Sequence, residues 1–160
     1  MMSMAVSTNS GVVSAEASQY VTITVADQIF GIPVLLVRDV LRAQKLTPIP
    51  LATSEVAGTL NLRGRIVTAI DVRRRLGLPP RPETEPGMSV VVEHHGEPYS
   101  LMVDNVGEVL TLSTQTYERN PATLAPQWRE ISAGIYRLDD CLLVVVDVDR
   151  LLDLSGGRGA

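Results

Sequence analysis

Apolar residues in this chain come in short runs broken by turn-forming positions, a layout that belongs to strands rather than to long amphipathic helices. Tyr20–Val25 and Gln28–Val34 flank Ala26-Asp27, and Val90–Glu93 with Tyr99–Val103 flank His94-His95-Gly96. Both arrangements predict β-hairpins. Arg65–Ile70 and Cys141–Val146 predict two further strands, the second with too continuous an apolar run to face water on either side. Each of these runs into an aspartate, a residue whose carboxylate accepts from the backbone N–H groups of a following helical turn. Asp71 and Asp147 are therefore expected as helix caps, with short helices over Val72–Leu76 and Val148–Leu152. Short strands closed by a helical turn, occurring twice, predict two small barrels side by side.

The chain repeats itself. At an offset of 69, Phe30 falls on Tyr99, Ile32 on Leu101, Val34 on Val103, Val37 on Val106, Asp39 on Glu108, Val40 on Val109 and Leu41 on Leu110. A second block repeats at an offset of 76, placing Gly58 on Gly134, Asp71-Val72 on Asp147-Val148, Arg74 on Arg150 and Leu76 on Leu152. The difference between the offsets is absorbed where loops accept insertions. A unit of roughly seventy residues is marginal alone and gains by packing on its twin. Residues 79–87 hold a proline-rich linker, because proline cannot donate to a sheet ladder. The expected division is a flexible tail over 1–18, one barrel over 19–78, the linker, a second barrel over 88–154 and a flexible end over 155–160.

Composition narrows this. Apolar residues make up 45% of 160 positions and aromatics only 4%, a β-branched bias that suits strands. The first eighteen residues carry no Lys or Arg and no unbroken apolar run, unlike a secretory signal, and no stretch is apolar enough to span a membrane. Cys141 has no cysteine to pair with, which fits a reducing cytoplasm. With no neighbouring cation, it is expected to be an inert buried thiol. Residues 38–82 hold nine Lys and Arg against three acids, and residues 83–160 hold five against thirteen. Opposed charges of this kind can steer related domains into head-to-tail contact.

Chemistry is scarce. His94 and His95 are the only histidines, and neighbouring strand positions point to opposite faces, so a shared metal is not expected. Asp71 and Asp147 are explained by capping rather than as a carboxylate dyad. No phosphate-cradling glycine loop occurs. An alternative reading is a nucleic-acid-binding pair of barrels, since Arg63, Arg65, Arg73, Arg74, Arg75 and Arg81 cluster in the first copy. Few aromatics and a pI near 5.1 weigh against it, and the triple arginine reads as the solvated face of a short helix. No catalytic, metal or cofactor-binding set is expected, and no enzymatic activity with it.

The run from Asn61 to Gly77, NLRGRIVTAIDVRRRLG, resembles the N-L-R-G-x-I-x-P-x-x-D-L-R-x-x-L/F-G stretch of the CheW family. Thr68 and Val72 depart from it, standing where the family usually has Pro and Leu. The resemblance extends from Tyr20 to Leu152 and includes Phe30-Gly31-Ile32 and Met102-Val103-Asp104-Asn105-Val106. It implies two five-stranded SH3-like β-barrels around a shared hydrophobic seam, an arrangement in which the N-terminal strand is free to cross to the other barrel. By the same implication the protein is a cytoplasmic chemotaxis adaptor, recruited to membrane-associated arrays. There it would couple methyl-accepting chemoreceptors, through their cytoplasmic hairpin tip, to the regulatory domain of the histidine kinase CheA. The receptor-facing surface is expected at Val37, Asp39, Asn61, Leu62, Arg63 and Gly64, with Asp39 holding Arg63 in place.

Overall fold

Left-handed backbone marks the tight turns. Ala26 and Asp27 (φ 51° and 69°) join β1 (Ala17–Val25) to β2 (Gln28–Pro33), and His95 and Gly96 (φ 52° and 79°) join β6 (Met88–His94) to β7 (Glu97–Val103). Two consecutive positive φ values give the turn a twist that matches the right-handed twist of the strands. The other strands are β3 (Val37–Arg42), β4 (Val56–Leu62), β5 (Arg65–Asp71), β8 (Asn105–Ser113), β9 (Ser132–Arg137) and β10 (Leu142–Val146). Among the described residues, three one-turn α-helices, α1 (Val72–Arg75), α2 (Pro126–Arg129) and α3 (Val148–Leu151), and two 3-10 turns at Val34–Leu36 and Thr114–Thr116 complete the set. This computed structural model describes residues 17–82, 84, 86–119 and 124–153. The tails expected at 1–16 and 155–160 lie outside the described residues. Ala17 and Ser18, expected in the tail, instead pair with Ser113 and Leu112.

The strands form two five-stranded sheets, β8-β1-β2-β10-β9 and β3-β6-β7-β5-β4. Replacing each strand by its repeat partner turns one order into the other. The irregularities repeat as well: a bulge interrupts β1/β8 between Val21 and Ile23 and β3/β6 between Val37 and Asp39. Gly58 and Gly134, matched in sequence, both lie where a Cβ would collide, with Thr47 O at 2.6 Å in the first case and with the Tyr117 ring in the second.

The sequence-contiguous barrels expected over 19–78 and 88–154 are not how the sheets are composed. Each sheet takes its hairpin from one copy and its other three strands from the other. Hairpin β6–β7 lies between β3 and β5, parallel to β5, and β1–β2 lies between β8 and β10, parallel to β10. Without the inserted hairpin, β3 would stand apart from a bare β4–β5 ribbon with open edges. The exchange is therefore of a whole hairpin in both directions, not of one N-terminal strand. Isolated bridges Thr47–Thr59 and Glu118–Ile135 tie the chain leaving β3 to β4 and the chain leaving β8 to β9.

One core lies between the sheets and a smaller one behind each. Strand β10 shows why its apolar run is unbroken: Val144 and Val146 face the shared core while Leu143 and Val145 face the private one. Val25, Phe30, Ile32, Ile70, Val90, Val92, Leu101 and Val103 enter the shared core from both sheets. Helix α2, in the inserted length of the second copy, was not foreseen; its Trp128 packs edge-on against Phe30, with ring centroids 5.3 Å apart.

Asp71 and Asp147 cap α1 and α3 as expected, accepting from Arg74 N at 3.3 Å and Arg150 N at 3.2 Å. The triple arginine is not a solvated face. Arg75 is buried and donates to Leu151 O and Arg150 O at 2.8 and 2.7 Å, and it pairs with Glu130. Its guanidinium thus satisfies the open carbonyls at the end of α3. Arg73 forks onto Asp104 at 2.9 and 2.6 Å. Cys141 is exposed rather than buried, because Leu138 N donates to its carbonyl and makes it the closing residue of the β9–β10 turn.

Candidate partner-binding surface

At one end of the sheet built on β3 to β7, the β4–β5 hairpin turns through Arg63 and Gly64 (φ 52° and 85°), with Leu62 paired to Arg65. Asn61 Oδ1 accepts from Gly64 N at 3.0 Å and fixes the turn. The left-handed conformation throws the Arg63 side chain, 73% exposed, across to strand β3, where Nη1 lies 2.7 Å from Asp39 Oδ2.

Asp39 is better enclosed, and its other oxygen accepts from Val40 N at 2.9 Å. Oδ2 is sealed from solvent, so its interaction with the Arg63 guanidinium is the one that meets its charge. The Arg63 guanidinium, then the Val40 N–H, hold the carboxyl below the usual carboxylate range.

Asp39, Leu62 and Arg63 share the lining of a recess of about 170 Å³ with Val67, Val91 and Pro98, and Arg38 and Glu93 pair at its rim at 2.9 Å. Apolar floor and charged rim suit an extended or helical segment of another protein. The bulge in β3 explains why Val37 does not join them. It pairs Val37 with Val92, whose side chain belongs to the shared core, and Asp39 with Val91, which faces the recess. Of the six expected surface residues, three line the recess, Asn61 and Gly64 shape its turn, and Val37 packs on the core. Residues not foreseen at this surface from sequence are Arg38, Arg65, Val67, Val91, Glu93 and Pro98, which β3, β5, β6 and β7 bring together.

The basic residues behind the nucleic-acid alternative are largely engaged by acids: Arg63 with Asp39, Arg74 with Asp71, Arg75 with Glu130, and both Arg73 and Arg81 with Asp104. His94 and His95 do not point to opposite faces. His95 occupies the turn, where strand alternation no longer applies, and its ring stacks on that of His94 at 3.9 Å.

The model of the CheW-like domain family matches residues 19–155. A probable chemotaxis protein CheW of Rhizobium etli is 24% identical over 142 residues, spanning 89% of this chain and 92% of its own. The chemotaxis protein CheW of Treponema pallidum is 26% identical, with 87% of this chain and 84% of its own covered. Among solved structures, the scaffolding protein TtCheW of Thermoanaerobacter tengcongensis superposes with a TM-score of 0.79 at 26% identity, covering 87% of this chain and 94% of that one.

Proposed function

This chain belongs to the CheW-like domain family, and from that premise we propose that it is a non-enzymatic chemotaxis adaptor that couples transmembrane chemoreceptors to the histidine kinase CheA. Its relatives are named as chemotaxis and scaffolding proteins. The observation that carries the reading is the Arg63–Asp39 pair at the mouth of an apolar recess, a rigid charged anchor beside a surface that an apolar side chain can enter. The receptor's cytoplasmic hairpin tip is assigned to this surface. The kinase regulatory domain is the second partner, reached through barrel-end contacts that can repeat head-to-tail. Among the described residues no helix is long and apolar enough to cross a membrane, so the adaptor would join a receptor array through protein contacts.

The test is direct binding of the full chain to a receptor hairpin-tip fragment and to the kinase regulatory domain. The expected result is saturable binding to both, with receptor binding weakened in Arg63→Glu. Binding to neither overturns the proposal.

A further inference from the structure

The duplication creates two matching junctions where a hairpin turn of one sheet meets the helix that follows the other. At the first, the β1–β2 turn meets α1 through one carboxylate: Asp104 Oδ2 accepts from Ala26 N at 2.9 Å while Asp104 takes the Arg73 fork. The repeat offsets carry Ala26 onto His95 and Arg73 onto Asp149. At the second junction the turn is therefore histidine-bearing and the helix supplies a carboxylate. His94 Nδ1 lies 3.1 Å from Asp149 Oδ1, and His95 Nε2 lies 3.9 Å from the same oxygen. One ligand atom from each of the three lies within 4.8 Å of the others.

We propose that His94, His95 and Asp149 form a binding site for a divalent transition-metal ion of the zinc class, which pins the β6–β7 turn of one sheet to α3 of the other. Two imidazoles and a carboxylate are donors that zinc takes, at about 2.0–2.2 Å each, and a tetrahedral shell then sets them about 3.3 Å apart. The 3.1 and 3.9 Å separations of the two imidazoles from Asp149 bracket that value, and the two imidazole nitrogens lie within 4.8 Å of each other. A nitrogen of each ring faces Asp149, and the rings, now stacked with planes 22° apart, open from that stack to aim both lone pairs at one ion. His94 is largely enclosed, while His95 and Asp149 are about four-fifths exposed, which leaves solvent to complete the shell. The first junction is held by an ion pair that needs nothing else; the second brings two sheets together through three metal-ligand atoms.

Zinc chloride is titrated calorimetrically into the full chain, carrying no polyhistidine tag, at pH 7.5. The expected result is one ion per chain with micromolar affinity and a rise in melting temperature on addition. His95→Ala and Asp149→Asn, both at exposed positions, each weaken binding at least about tenfold, whereas Asp139→Asn leaves it unchanged. Absence of saturable uptake at millimolar zinc, or uptake that survives the His95→Ala/Asp149→Asn double substitution, overturns the proposal.

Discussion

The two sheets share strand order and bulges, yet their outer ends differ in both packing and charge. Behind the sheet of β8, β1, β2, β10 and β9, Tyr20, Tyr136, Leu143 and Val145 fill the private core, with Tyr20 and Tyr136 edge to face at 5.5 Å and their hydroxyls 3.2 Å apart. The matching positions in the other sheet hold Ser89, Leu60, Val67 and Ala69. Ile29 is likewise replaced by Pro98. Of these smaller residues, Val67 and Pro98 line the recess that Asp39 and Arg63 share. At the tyrosine-filled end the same two positions are Glu108 and Asp139, both acidic, so no ion pair can form between them. A duplicated fold thus keeps one sheet packed and opens the other, and the opened one carries the anchored charge.

The largest expected effect tests the packed end. Tyr136→Ala removes a wholly buried ring and strips Tyr20 of its hydroxyl partner, and should cost about 3–5 kcal/mol in urea denaturation. Leu60→Ala, its counterpart, should cost less, about 2 kcal/mol, because a smaller side chain is removed. Equal losses would break the contrast in packing.

Arg63→Glu should keep the melting temperature within a few degrees, since an exposed pair contributes only about 0.2–1 kcal/mol, while lowering affinity for the receptor tip tenfold or more. That factor corresponds to about 1.4 kcal/mol. Asp139→Arg, which copies the charge into the packed end, should create no second receptor site; a stoichiometry of two would show that charge alone suffices.

Filling the recess is a gentler intervention. Val67→Leu reproduces Leu143 of the other copy, and overpacking there should alter stability by less than about 1.5 kcal/mol. Receptor binding measured on the same variant should fall, and an unchanged affinity would remove the recess from the docking surface.

The smallest effect concerns pH. The folded Asp39 carboxyl is held below its free value, so its contribution is fully present above the unfolded pKa of about 3.9 and is lost as pH falls through the folded value. Carboxyl-carbon NMR should place its midpoint below that of a free aspartate, and Arg63→Ala should raise it. A midpoint that ignores Arg63 would mean the pair does not persist in solution.

Much of this was legible in the chain. The hairpin turns at 26–27 and 95–96, the capping roles of Asp71 and Asp147 and the unbroken run of β10 all depend on neighbouring residues or on a repeat visible as such, whereas the Arg63–Asp39 contact was expected only from the family resemblance. Local backbone preference and strand periodicity act within a few residues, and a repeat can be read without knowing the fold.

Hydrophobic pattern by itself cannot say which copy a hairpin joins, because β1–β2 and β6–β7 offer the same edges to either set of strands. Long-range pairing decided that, by completing a sheet around β5 and β10 that neither copy completes alone. The same choice moved Arg75 from an apparent solvent face to the end of α3 and turned His94 and His95 towards Asp149. Each of these depends on what the other half of the chain places opposite the residue, and that partner lies some fifty to eighty positions away in sequence.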